Sequence, residues 1–165
     1  MQFWFFIFAF VFLTLPSVVF GAELVVAHEW SKRLGGNNSD YAYSVIVDSH
    51  NNVIVSGYVD GDADLNGDGD TADGGEDATG YGYDDVFVSV FDENGNFQWA
   101  RRLGGNESDY TRSAVVDSDN NVIVSGFVYG NADLNGDGDT ADGGENATGY
   151  AYYDAFVSVF DENGN

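Results

Sequence analysis

The sequence predicts an all-β chain made of tandem four-stranded antiparallel units, and three observations carry that reading. Aligning Trp30 with Trp99 gives a period of 69 residues, and 52 of the 67 positions in 30–96 recur identically in 99–165, as in a tandem array. Each unit holds four short runs rich in Val, Ile, Phe and Tyr, bounded by Asp, Asn and Gly, which is the pattern of short strands. Several of these runs are apolar at consecutive positions instead of alternating, so both faces of each sheet ask for cover.

The runs are 43–48, 53–58, 86–91 and 97–103, with counterparts in the second unit. Asp48-Ser49-His50-Asn51-Asn52 and Asp92-Glu93-Asn94-Gly95-Asn96 are polar turns between apolar runs, so the flanking strands pair as hairpins. In 86–91, Val86, Val88 and Val90 point one way while Phe87 and Phe91 point the other. A small sheet covered on both faces is what stacked propeller blades provide. A two-sheet sandwich would leave one polar face per strand, and a parallel β-helix would repeat at a shorter period.

Between the second and third strands each unit carries an acidic excursion, 60–83 and 129–152. Within it, 63–76 reads Ala-Asp-Leu-Asn-Gly-Asp-Gly-Asp-Thr-Ala-Asp-Gly-Gly-Glu and returns letter for letter as 132–145. Oxygen-bearing side chains at alternate positions, followed by glycine at the sixth place, let a loop wrap a hard cation. Two frames fit. The first starts at Asp62 and uses Asp64, Asn66, the Asp68 carbonyl, Asp70 and Asp73, with Gly67 sixth. The second starts at Asp64 and uses Asn66, Asp68, the Asp70 carbonyl and then Asp73 or Glu76, with Gly69 sixth and a one-residue bulge. In the second copy the first frame would open on Asn131, a weaker ligand, whereas the second keeps Asp133, Asn135, Asp137, Asp139, Asp142 and Glu145. The second frame is favoured, and two ions sharing ligands would satisfy both. Oxygen ligands without Cys or His point to calcium over zinc, copper or magnesium; the competing reading is that Asp, Asn and Gly simply make turns.

Charge follows the loops. Of 28 Asp and Glu, against five Lys and Arg, 16 lie in 60–85 or 131–154. Such crowding opposes a compact loop unless cations neutralise it, and a net charge of −23 excludes nucleic acid as a partner.

Residues 1–21 hold no charged side chain, and 3–15 is an almost unbroken apolar run ending at Pro16. This reads as a secretory signal peptide, cleaved after residue 21 or as late as 27. Only the α-amine supplies positive charge, which leaves an uncleaved membrane anchor as the alternative. Without cysteine, an exported domain relies on its core and on metal.

Trp99-Ala100-Arg101-Arg102-Leu103-Gly104-Gly105, Asp109-Tyr110, Val116-Asp117-Ser118, Asn121-Val122-Ile123-Val124-Ser125-Gly126, Asp154-Ala155-Phe156-Val157-Ser158 and Asp161-Glu162-Asn163-Gly164 occur in this order. In these motifs 30–165 resembles the bacterial β-propeller repeats called SBBP-type repeats. The resemblance implies a multi-bladed propeller on an exported or surface protein, with no uniform enzymatic activity. The acidic loops and the presence of only about two blades depart from the family pattern. The first unit spans 22–98 and the second 99–165, ending inside the turn before a fourth strand. Two blades leave two open faces, so a piece of a larger propeller is expected, with assembly through those faces as the alternative.

No catalytic constellation emerges: His28 and His50 lack a paired nucleophile, and acids this plentiful make any carboxylate pair uninformative. Trp30, Trp99, Tyr41, Tyr81, Tyr83, Tyr110 and Tyr150 suit blade packing or a carbohydrate or protein surface. Arg33 and Arg102 offset nearby acids, and Asn37, Asn106 and Asn146 sit in glycosylation sequons. The expected function is a non-enzymatic, calcium-stabilised, secreted or cell-surface scaffold or adhesion module. Its partners would be neighbouring blades or further repeats, and an extracellular protein or carbohydrate. The alternative is the non-catalytic propeller portion of a larger secreted enzyme or binding protein.

Overall fold

The structure, a computed structural model, describes residues 27–71, 79–140 and 148–165. The signal-like segment 1–21 lies outside them. Among the described residues no helix is long and apolar enough to cross a membrane.

The first blade is an antiparallel sheet of β2 (Tyr41–Val47), β3 (Val53–Asp60), β5 (Asp84–Phe91) and β6 (Phe97–Gly105), in that spatial order. The second has β7 (Tyr110–Val116), β8 (Val122–Tyr129) and β10 (Tyr153–Phe160). Three two-residue strands, β1 (Gly35–Gly36), β4 (Ala63–Asp64) and β9 (Ala132–Asp133), hold the start of each acidic loop: β1 pairs with β4, and the end of β6 with β9. The all-β blade architecture expected from the repeat is thus present. A blade and a sequence period are offset, because the first sheet closes with β6, which straddles the boundary between 22–98 and 99–165.

Both expected hairpins form, and one device builds their turns. Asp48 Oδ1 accepts from His50 N–H and Asn52 N–H, both at 2.8 Å, while Oδ2 accepts from the Asn52 amide at 2.7 Å. Asp92, Asp117 and Asp161 repeat the arrangement. Those donors, the Asn side-chain or N–H groups foremost, hold the Asp92, Asp117 and Asp161 carboxyls below the usual range.

The blades stack face to face. Ile54, Val86, Val88 and Val90 of the first pack with Ala114, Val122, Val124, Phe156 and Phe160 of the second, and Trp99 and Leu103 of β6 join this cluster. Trp99 rests on Phe160 at 5.9 Å and donates to the Glu162 carbonyl; Trp30 repeats this on Phe91 at 6.0 Å and the Glu93 carbonyl. Both tryptophans therefore serve blade packing. Strand β5 is buried on both faces, as its unbroken apolar run requires, whereas β2 is largely exposed along its length.

Candidate metal loops and the blade junction

Each acidic loop leaves the second strand of its blade and is organised by one carboxylate, Asp64 or Asp133. Asp64 Oδ1 accepts from Gly67 N–H, and its Oδ2 from Gly69 N–H at 2.7 Å. Two further turns follow in relay: Asn66 Oδ1 accepts from Asp68 N–H at 2.8 Å, and Asp68 Oδ1 from Asp70 N–H at 3.0 Å. The second copy repeats the relay through Asp133, Asn135 and Asp137, with Gly138 and Asp139 as the later donors. Gly69 and Gly138 stand at φ +98° and +93°, a left-handed bend that glycine supplies without steric cost. These glycines hold the sixth place of the frame that starts at Asp64 and Asp133.

Asp62 takes another part. It is exposed, and its Oδ1 accepts from Gly80 N–H at 3.1 Å, closing the base of the excursion. Asn131 does the same with Gly149 N–H at 3.2 Å. Asp73, Glu76, Asp142 and Glu145 lie outside the described residues, and among the described ones no three acidic or histidine side chains converge as a metal group. Asp68, Asp70, Asp137 and Asp139 are exposed. Carboxylate and amide oxygens are the donor type that calcium takes, and each Asp64 oxygen accepts a backbone N–H. Asp133 also accepts from Asn135 N–H and from the Tyr81 hydroxyl, the latter at 2.9 Å.

Arg102, expected to offset nearby acids, has a defined partner. Fully buried in β6, Arg102 donates to Asp85 Oδ2 at 3.1 Å and to the Gly61 carbonyl at 2.7 Å. Across the junction Asp109, also buried, accepts from Gly105 N–H and Tyr129 N–H, each at 2.7 Å. Its own N–H donates to the Asp84 carbonyl at 2.6 Å, and the Tyr110 hydroxyl to Asp84 Oδ2 at 2.6 Å. Burial pushes Asp85 up to about 6, against the pull of Tyr81 N–H and Arg102; burial, with the Asp85 charge adding, pushes Asp109 up to about 7. A signal existed for this cluster: Arg33/Arg102, Asp40/Asp109 and Asp85/Asp154 are charged residues kept in both units beside apolar strands. His28 and His50 make only local or turn contacts. The His28 contact is to the exposed Ser31 hydroxyl, at 2.8 Å from Nε2.

A family model described as a beta-propeller repeat, SBBP, matches residues 29–62, covering the Trp30 segment and the first hairpin. The chain carries SBBP-type β-propeller repeats. It is also 30% identical over 124 residues, 69% of its length, to a protein of Acanthamoeba polyphaga mimivirus described as an uncharacterized WD repeat-containing protein. The chain spans 9% of that protein's length. The match at 29–62 begins at the Trp30 segment, the counterpart of Trp99 in β6, and runs through β2 and β3 to the start of the acidic loop.

Proposed function

We propose that the chain is a non-enzymatic propeller module, secreted or at the cell surface, whose acidic loops bind calcium and which serves as a scaffold or adhesion element. The observation that carries the calcium reading is the identical relay of turns in the two loops. Asp64 and Asp133 gather backbone N–H groups and bend the chain at Gly69 and Gly138, presenting Asn66, Asp68 and Asp70 and their counterparts as a ready oxygen set. Asp62 turned toward Gly80 supports the frame that starts at Asp64, with Asp73 or Glu76 and Asp142 or Glu145 closing each site. Calcium supplies the positive charge that lets each crowded loop stay compact. Export is supported by the signal-like residues 1–21. The small share of its mimiviral relative that the chain spans favours a second reading, a propeller portion within a larger secreted enzyme or protein- or carbohydrate-binding protein.

Thermal unfolding in chelator and in millimolar-order calcium tests the metal. An ion bound to the folded loop alone stabilises it by about 2.7 kcal/mol at a hundredfold excess over its Kd, so Tm is expected to rise, and to rise less in Asp64→Asn. An unchanged Tm overturns the calcium reading.

A further inference from the structure

Tyr81 joins the two acidic loops. It stands half-buried where the first loop returns to β5, and its hydroxyl crosses the blade junction to donate to Asp133 Oδ2 in the second loop at 2.9 Å. Both ends of this bond are held by β6. The Tyr81 N–H donates to Asp85 Oδ2 at 2.9 Å, the oxygen to which Arg102 of β6 also donates. Asp133 pairs with Gly104 at the end of β6, and a Cβ on Gly136 of the same loop would stand 2.7 Å from the Arg101 side chain. The hydroxyl is therefore delivered to Asp133 by the first blade and not by the second loop itself.

Asp133 is saturated with donors. Its Oδ1 accepts from Asn135 N–H at 3.1 Å and Gly136 N–H at 2.6 Å, and its Oδ2 from Gly138 N–H at 2.7 Å and from Tyr81. A carboxylate has about four lone-pair sites, so a cation that takes Asp133 as a ligand must replace one of these four. The three N–H groups belong to the turns that present Asn135, Asp137 and Asp139, and giving one up would undo the oxygen set the ion needs. Tyr81 comes from outside the loop, and a half-buried hydroxyl can exchange a carboxylate for water at little cost.

We infer that Tyr81 and calcium compete for Asp133, which makes the blade junction a latch that an occupied second loop releases. This rests on the calcium reading of the loops and deepens it. Freeing Tyr81 lowers the affinity of the second loop for the ion, and by reciprocity an occupied second loop loosens the segment through which the first loop returns to its blade. A hydrogen bond to a charged group changes an equilibrium constant by roughly tenfold or more, which sets the size of the effect.

Calcium binding to the full chain, measured by calorimetry, tests the competition. Asp64→Asn leaves the second loop as the site that is read, and Asp133→Asn leaves the first. Adding Tyr81→Phe keeps the ring and removes the hydroxyl alone. It is expected to lower the calcium Kd about tenfold in the Asp64→Asn chain and to leave it within about twofold in the Asp133→Asn chain. Amide exchange over residues 79–83 of the Asp64→Asn chain is expected to quicken when calcium is added, because the segment loses its anchor, and to respond little once Tyr81→Phe has removed that anchor. An unchanged or raised Kd at the second loop overturns the inference, as does an equal gain at both loops or exchange that does not quicken. Calcium binding absent from every chain overturns the calcium reading together with the latch, whereas binding with an unmoved Kd overturns the latch alone.

Discussion

Arg102 and Asp85 show how much of one blade's stability rests on a single pair. Both side chains are fully buried, and removing one partner of a buried pair typically costs about 3–5 kcal/mol because the other charge is left without compensation. Arg102→Met is expected to lose about that much at pH 7.5, where Asp85 is ionised. The loss should shrink at pH 5, because Asp85 titrates near 6 and takes up a proton, and Asp85→Asn in the same chain should recover part of it. Denaturant midpoints at the two pH values check this; an equal loss at both would mean that the charge on Asp85 is not the cause. The partner was not legible in the sequence because Asp85 and Arg102 are 17 residues apart and meet only once β5 and β6 pair in register. The aspartates of the hairpin turns were legible as turn formers, since their donors lie two and four residues away.

At the scale of elements, strand positions and hairpins were readable because period and turn chemistry are local. The two-residue strands β1, β4 and β9 were not, since they depend on where the loops return. Nor was the bulge that sets Tyr43 and Arg112 out of register in β2 and β7. Glycine has two different roles here, which substitution separates. A Cβ on Gly57 would stand 1.8 Å from the Tyr41 carbonyl oxygen, and one on Gly126 would stand 2.0 Å from that of Tyr110. The clash is with backbone on the paired strand, so no side-chain rotation relieves it. Gly57→Ala is expected to force β2 and β3 apart and to cost at least about 3 kcal/mol, the upper end for overpacking. Gly69→Ala meets nothing within 4 Å, and its cost is that of a left-handed residue, about 1–2 kcal/mol. Urea midpoints of the two variants, measured in chelator, give the comparison, and a Gly69→Ala loss equal to that of Gly57→Ala would contradict it.

For the whole molecule, the acids set how stability follows pH, and the two classes of carboxylate act in opposite directions. Asp85 and Asp109 are raised from 3.8 to about 6 and about 7. The folded state therefore holds protons that the unfolded chain has released, and their contribution is complete below 3.8 and is lost as pH rises through about 6 and 7. Asp92, Asp117 and Asp161 are lowered, so their contribution is present above the ordinary value and disappears only as pH falls below it. Crowding of like charge in the loops adds to the first trend, because ionised loops repel more when held compact. Stability without calcium is thus expected to be greatest near pH 4 and to fall from there to about pH 7, with a slope of at most about 1.4 kcal/mol per pH unit for each titrating group. Asp109→Asn, which cannot ionise, should flatten the fall between about pH 4 and 7. Urea unfolding at pH 5 and 8 in chelator measures the trend. A midpoint that rises with pH over this range would mean that ionised Asp85 and Asp109 are better accommodated at the blade junction than their burial implies.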